Sequence, residues 1–121
     1  MSAVVTPMQV ERRLKDLSNE LDTCHEDLVQ AENTYYTTKA QYEVALAKSR
    51  LTLASKSSPT GKNYTVGERE DMALVENADL HFAIASAEAM VRAARANAVR
   101  LKTQVDIARS ISVSVRSGMD L

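Results

Sequence analysis

Between Pro7 and Pro59 the chain holds neither glycine nor proline, and between Gly67 and Gly118 it again holds neither. Two uninterrupted stretches of that length leave little choice but helix, because any sheet or mixed fold of this size needs many more turns. The boundaries carry matching signals. Thr6-Pro7-Met8-Gln9 offers a capping threonine, a proline suited to the first helical position and a glutamine three residues after the cap. Thr65-Val66-Gly67-Glu68 repeats the pattern. Residues 57–64, Ser-Ser-Pro-Thr-Gly-Lys-Asn-Tyr, form the one turn-rich stretch. Arg116 and Gly118 supply a stop. The expectation is a single all-α domain over residues 1–121, with helix 1 at about 7–56, a loop at 57–64 and helix 2 at about 65–117.

Apolar spacing refines this to a long antiparallel two-helix hairpin, coiled-coil-like along its seam. On helix 1 the steps alternate four and three through Val10, Leu14, Leu17, Leu21, Cys24, Leu28, Ala31, Tyr35, Thr38, Tyr42, Ala45, Ser49 and Thr52. Helix 2 does the same through Ala73, Asn77, Leu80, Ile84, Ala87, Val91, Ala94, Ala98, Leu101, Val105, Ala108, Ser112 and Val115. Sustained spacing of about 3.5 residues is the mark of a coiled-coil seam. Folding the chain at Gly61 sets Leu28 opposite Ala94, Ala31 opposite Val91, Tyr35 opposite Ala87 and Leu14 opposite Ala108. Large meets small at each level, which fills the space without overpacking.

Charge agrees with this alignment. Residues 1–36 carry three basic and seven acidic side chains; 37–64 carry five and one; 65–91 carry one and six; 92–121 carry six and two. The hairpin lays opposite signs together along its length, which orients more than it stabilises. With a net charge of −1, no overall field draws the chain to nucleic acid or acidic membrane. The one cysteine, Cys24, excludes an internal disulfide. Met1-Ser2-Ala3-Val4-Val5 lacks the length and charge of a secretory leader, and no apolar run approaches the ~20 residues that cross a bilayer. The expected setting is cytoplasmic, with no membrane partner.

A second apolar stripe, Leu74, Ala78, Phe82, Ala85, Ala89, Ala93 and Ala96, is expected beside the seam on helix 2, and a weaker one, Tyr36, Ala40, Val44, Ala47 and Leu51, on helix 1. A lone hairpin buries little surface, so these stripes lead to the expectation of a homo-oligomer, most simply a dimer forming a four-helix bundle.

No constellation suggests catalysis, a cofactor or a metal. Cys24 belongs to the seam, where a thiol behaves as a small apolar group, and His25 points about 100° away from it. Asp22-x-x-His25 imitates half of a di-metal motif that helix 2 does not complete. Ser57 to Asn63 touches the phosphate-loop pattern, but lacks its leading glycine, the Ser/Thr after lysine and a preceding strand; Lys62 is left as a weak anion contact. Arg92, Arg95, Arg100, Lys102, Arg109 and Arg116 make a basic segment opposed only by Asp106, and Arg95 and Arg100 fall outside the seam as candidate nucleic-acid contacts. The acidic first helix beside them matches much of that charge, so protein association is the favoured reading. Ser110-Ile111-Ser112-Val113-Ser114-Val115-Arg116 keeps the helical register, yet also alternates with period two as a strand would; Met119 and Leu121 end it as an apolar contact point.

Three segments, Tyr42-Glu43-Val44-Ala45-Leu46-Ala47-Lys48, Thr65-Val66-Gly67-Glu68-Arg69-Glu70 and Val105-Asp106-Ile107-Ala108-Arg109-Ser110-Ile111-Ser112, resemble small helical-hairpin proteins of tailed-bacteriophage early gene regions. The resemblance runs from the second half of helix 1 to the end of helix 2. It implies a phage-encoded protein of the host cytoplasm, near replication or recombination genes, and carries over no functional residue. The functional expectation is a non-enzymatic oligomer that binds itself and another protein, as an accessory factor in phage DNA metabolism. The alternatives are a direct nucleic-acid binder through the Arg-rich helix, and a structural or chaperone-like coiled coil of a virion or complex.

Overall fold

The computed structural model describes residues 5–119, apart from the side chain of Met119. Three α-helices account for nearly all of them: α1 (Pro7–Ala54), α2 (Val66–Glu76) and α3 (Ala78–Met119). No strand occurs among the described residues, and no helix there is long and apolar enough to cross a membrane. The contact expected at Met119 and Leu121, and the reading of Met1 to Val4, lie outside the described side chains. The segment from Ser110 is helical up to Met119, with Ser112 buried and Val115 half-buried.

Both helix starts are capped through their threonines. The Thr6 amide donates to Gln9 Oε1 (3.0 Å) and the Gln9 amide to Thr6 Oγ1 (3.2 Å), a reciprocal box that satisfies two otherwise orphan donors. At α2 the Glu68 amide donates to Thr65 Oγ1 (3.2 Å), while the Thr65 hydroxyl donates to Glu68 Oε1 (3.1 Å). The glutamate thus returns to the threonine side chain, not to its backbone. Between α1 and α2, the Gly61 amide donates to the Ser58 carbonyl (2.9 Å), the Ser58 amide to the Lys62 carbonyl (2.8 Å), and Ser57 bridges to Asn63. Gly61 has φ +80°, in the left-handed region that a side chain disfavours.

Contacts divide the chain into two units. In the first, residues up to Gln30 pack with those from Arg92 onward. Its core is Leu17, Cys24, Leu101, Val105 and Ala108, with Leu14, Leu21 and Ala98 packed against it. Leu17 is 1% exposed and has the largest fully buried side chain described. Leu28 is half-buried.

The second unit is Ala31–Val91. Here Ala73, Ala87, Val91 and Leu53 are buried, and Tyr35, Leu80 and Ile84 are half-buried. The Tyr42 ring lies 5.7 Å from His81, and Asn77 Nδ2 donates to Ser49 Oγ at 2.9 Å. As numbering rises along α1 it falls along its partner, so the two segments run in opposite directions. At the end of α1 the buried position is Leu53, not Thr52, whose hydroxyl turns back to the Lys48 carbonyl (2.9 Å). A straight helix drifts by about 20° per heptad against a 3.5-residue repeat, and two successive steps of four, Ala45 to Ser49 to Leu53, absorb the drift.

The second helical stretch, read from the sequence as continuous, is divided at Asn77. This residue leaves helical geometry (φ −110°, ψ 24°), and its amide reaches the carbonyls of Ala73 and Leu74 at 3.2 Å each. Its side-chain amide donates to the Ala73 carbonyl (2.8 Å) as well as to Ser49. Asparagine competes for backbone groups in this way, and at a seam position it ends one helix while its own carbonyl receives the His81 amide of the next (3.0 Å).

Two substitutions test this account by urea denaturation. Leu17→Ala should cost about 2–5 kcal/mol, as a large-to-small change in a packed core. Gly61→Ala meets no atom within 4 Å, so its expected cost of about 1–2 kcal/mol is conformational alone; an unchanged midpoint would show that the loop relaxes.

Candidate functional site

Two features stand apart from ordinary core and solvated surface. The first is a polar layer around Cys24, in the unit where residues up to Gln30 pack with those from Arg92 onward. The thiol is 3% exposed. Sγ donates to the Ala94 carbonyl and receives a hydrogen bond from Asn97 Nδ2, each at 3.5 Å. Asn97 Oδ1 in turn accepts from Arg100 Nε (3.2 Å) and Nη2 (2.7 Å). Helical spacing allows the last pair, because residues three apart share a face. Beside this chain lies an open hollow of about 370 Å³, lined on α1 by Asn19, Glu20, Thr23 and Asp27.

Chemically, the layer offers hydrogen bonds and little else. His25 borders a separate hollow with Glu26, Val29 and Gln30. No group of three or more His, Cys, Asp or Glu side chains among the described residues is placed to hold a metal ion. The Cys24–Asn97–Arg100 chain is therefore best understood as a satisfied polar crossing between two helices. Sequence reasoning placed Cys24 in the seam but missed Asn97, whose neighbour Ala98 is the seam residue and which gives no periodic signal of its own.

The second feature is apolar and lies in the Ala31–Val91 unit. Phe82 is 70% exposed, Leu51 74% and Val75 75%, and Tyr36, Val44 and Leu74 are exposed too. Ala85 and Ala89 are exposed beside Phe82, and Ala78 is half-buried. The sequence places these stripes beside the seam, and helix geometry divides them. Phe82 lies two residues from both Leu80 and Ile84, about 200° of rotation at 3.6 residues per turn. Val44 and Leu51 stand in the same relation to Tyr42 and Ser49. Phe82, Val44 and Leu51 thus face away from the seam, while Leu74, Ala78, Ala85 and Tyr36, each one residue after a seam position, stand about a quarter-turn from it.

On the α1 side the exposed stripe has relief. Ala40, Gln41, Val44, Ala45 and Lys48 line an open, mainly apolar hollow of about 400 Å³. On the other side Phe82 projects, touching the His81 ring at 6.2 Å between centroids.

The basic candidates are differently placed. Arg100 is exposed but held by Asn97. Arg95 is exposed and has a partner within the protein. Lys62 is exposed in the α1–α2 loop, its carbonyl closing the turn on Ser58.

No family model matches this chain, and no curated protein or solved structure is detectably similar to it. The site must therefore be judged on its own chemistry.

If Cys24 is a buried crossing residue, its reaction with a maleimide should be slow in the folded protein and at least ~100-fold faster in urea, since only the opened thiol is attacked. Fast labelling under native conditions would return Cys24 to the list of reactive groups.

Proposed function

We propose that the chain is one antiparallel helical hairpin that acts by association, with itself and with another protein, and not by catalysis. The observation that carries this reading is the pair of exposed apolar stripes outside the seam, with Phe82 and Leu51 more than two-thirds exposed. Large apolar groups aligned along a helix face are seldom left in water without a partner to cover them. The opposed chain directions within Ala31–Val91, and the shared core of the segments around Leu17 and Leu101, support the hairpin.

An accessory role in phage DNA metabolism, exercised in the host cytoplasm, is the biological setting we propose, on the strength of the three resembling segments. Direct nucleic-acid binding has less support, because counterion release needs an excess of cations, and the chain carries 15 basic against 16 acidic side chains. A virion scaffold would use the same outward faces, and gene neighbourhood distinguishes it from an accessory factor.

Association predicts a melting temperature that climbs as protein concentration is raised, because mass action stabilises whatever binds only the folded state. Circular dichroism melts over a hundredfold concentration range, with light scattering at each end, make the measurement. A fixed melting temperature with monomer mass throughout would remove the reading.

A further inference from the structure

Self-association leaves open which faces meet, and the charges flanking the two stripes select among the choices. The α1 stripe lies in residues 37–64, which carry five basic side chains and one acidic. Lys39, Lys48 and Arg50 are exposed there. The opposite stripe lies in residues 65–91, with six acidic side chains and one basic. Asp71, Glu76 and Asp79 are exposed on that side. A symmetric contact of the Phe82 face with its own copy would set acid against acid. A symmetric contact of the Val44 face would set base against base. Like charges across an interface cost affinity and suppress the wrong pairing. The mixed contact satisfies both stripes and both charge sets.

Shape makes the same selection. Phe82 is a projecting ring, and on the flank of the α1 stripe an open hollow runs from Ala40 and Val44 to Lys48 and the half-buried seam residue Ala45. Aromatic side chains seated in apolar pockets are the usual anchors of protein interfaces.

We propose that copies of this chain associate head to tail, the Phe82 face of one seated on the Val44 face of the next. This deepens the association reading and rests on it. The contact is heterologous, so an open assembly keeps one free face at each of its two ends after every step. Such contacts close into rings or grow as open arrays, and do not stop at a symmetric dimer. The α1 and α3 segments run in opposite directions within each copy, so copies in one orientation place α3 against an antiparallel α1 at every junction. The interface thereby repeats the directional relation of the seam.

Two surface variants test the arrangement: Phe82→Lys, which puts a cation before the basic face, and Val44→Glu, which puts an anion before the acidic one. Both sites are exposed, and unchanged circular dichroism verifies that each variant folds. By sedimentation velocity, the unaltered protein should exceed dimer mass as concentration rises. Each variant alone should be monomeric, its association weakened at least ~30-fold, as for loss of an interface anchor. Mixed in equal amounts, the two variants should form a one-to-one complex, through the intact Val44 face of one and the intact Phe82 face of the other. Added salt should weaken it. If Val44→Glu alone still dimerises, if the mixture stays monomeric, or if the unaltered protein stops at a dimer, the head-to-tail mode is overturned and association survives. If the unaltered protein is monomeric at every concentration, association itself falls.

Discussion

A helix that packs against a single neighbour can bury only one stripe of its surface, and everything else about this protein follows from how that stripe is used. The seam residues recur at about 3.5-residue spacing, and the large ones, such as Leu17 and Leu101, are placed where alanines share the same core. That allocation leaves the rest of each helix to solvent or to other molecules. For most of the circumference the sequence supplies charge, alanine and polar groups, with Val29, Val99, Ile107 and Val113 exposed in the unit around Leu17. Within Ala31–Val91 it also supplies Tyr36, Val44, Leu51 and Phe82, which the seam cannot reach. The division between a satisfied face and an unsatisfied one is the source of both the fold and the proposed activity.

The seam is not uniformly apolar, and its polar points have related chemistry. In one unit Asn97 reaches Cys24; in the other Asn77 reaches Ser49. Each is an asparagine amide donating across to a small side chain on α1. A hydrophobic pair at either level would pack as well but would accept neighbouring registers equally. An asparagine whose amide must find its partner penalises a slipped alignment, which is the usual service of a polar residue in such seams, given at some loss of stability. Alanine-rich helices need that service more than most, because small side chains interlock weakly and tolerate sliding.

The helical class, both threonine caps and the position of the turn were legible in the sequence, because they depend on local chemistry: Pro7 and Gly61 have narrow conformational preferences, and Thr6 and Thr65 have side chains of the right reach. Burial at Leu17, Val91, Leu101 and Val105 follows from periodicity. Four things did not follow. Periodicity at fixed spacing gives no warning of where a helix will drift, so Leu53 replaced Thr52. Asn77 was placed on the seam, but whether an asparagine bridges, caps or breaks depends on what stands opposite, here Ser49. The outward direction of Phe82 is set by its step of two from Leu80, about 200° of rotation, which apolar spacing alone does not express. The Cys24–Asn97–Arg100 chain is tertiary, and no local pattern announces it.

The interruption at Asn77 has a consequence for how the molecule opens. It leaves α2 as a helix of 11 residues, shorter than the roughly 12–15 at which isolated helices become even marginal in water. Its persistence is borrowed from packing, chiefly from Ala73, which has no exposed surface at all. With the amide ladder already broken behind it, α2 can come undone without taking the first turns of α3 along. Amide protons from Val66 to Glu76 therefore belong to a separate cooperative unit that exchanges with solvent before the rest.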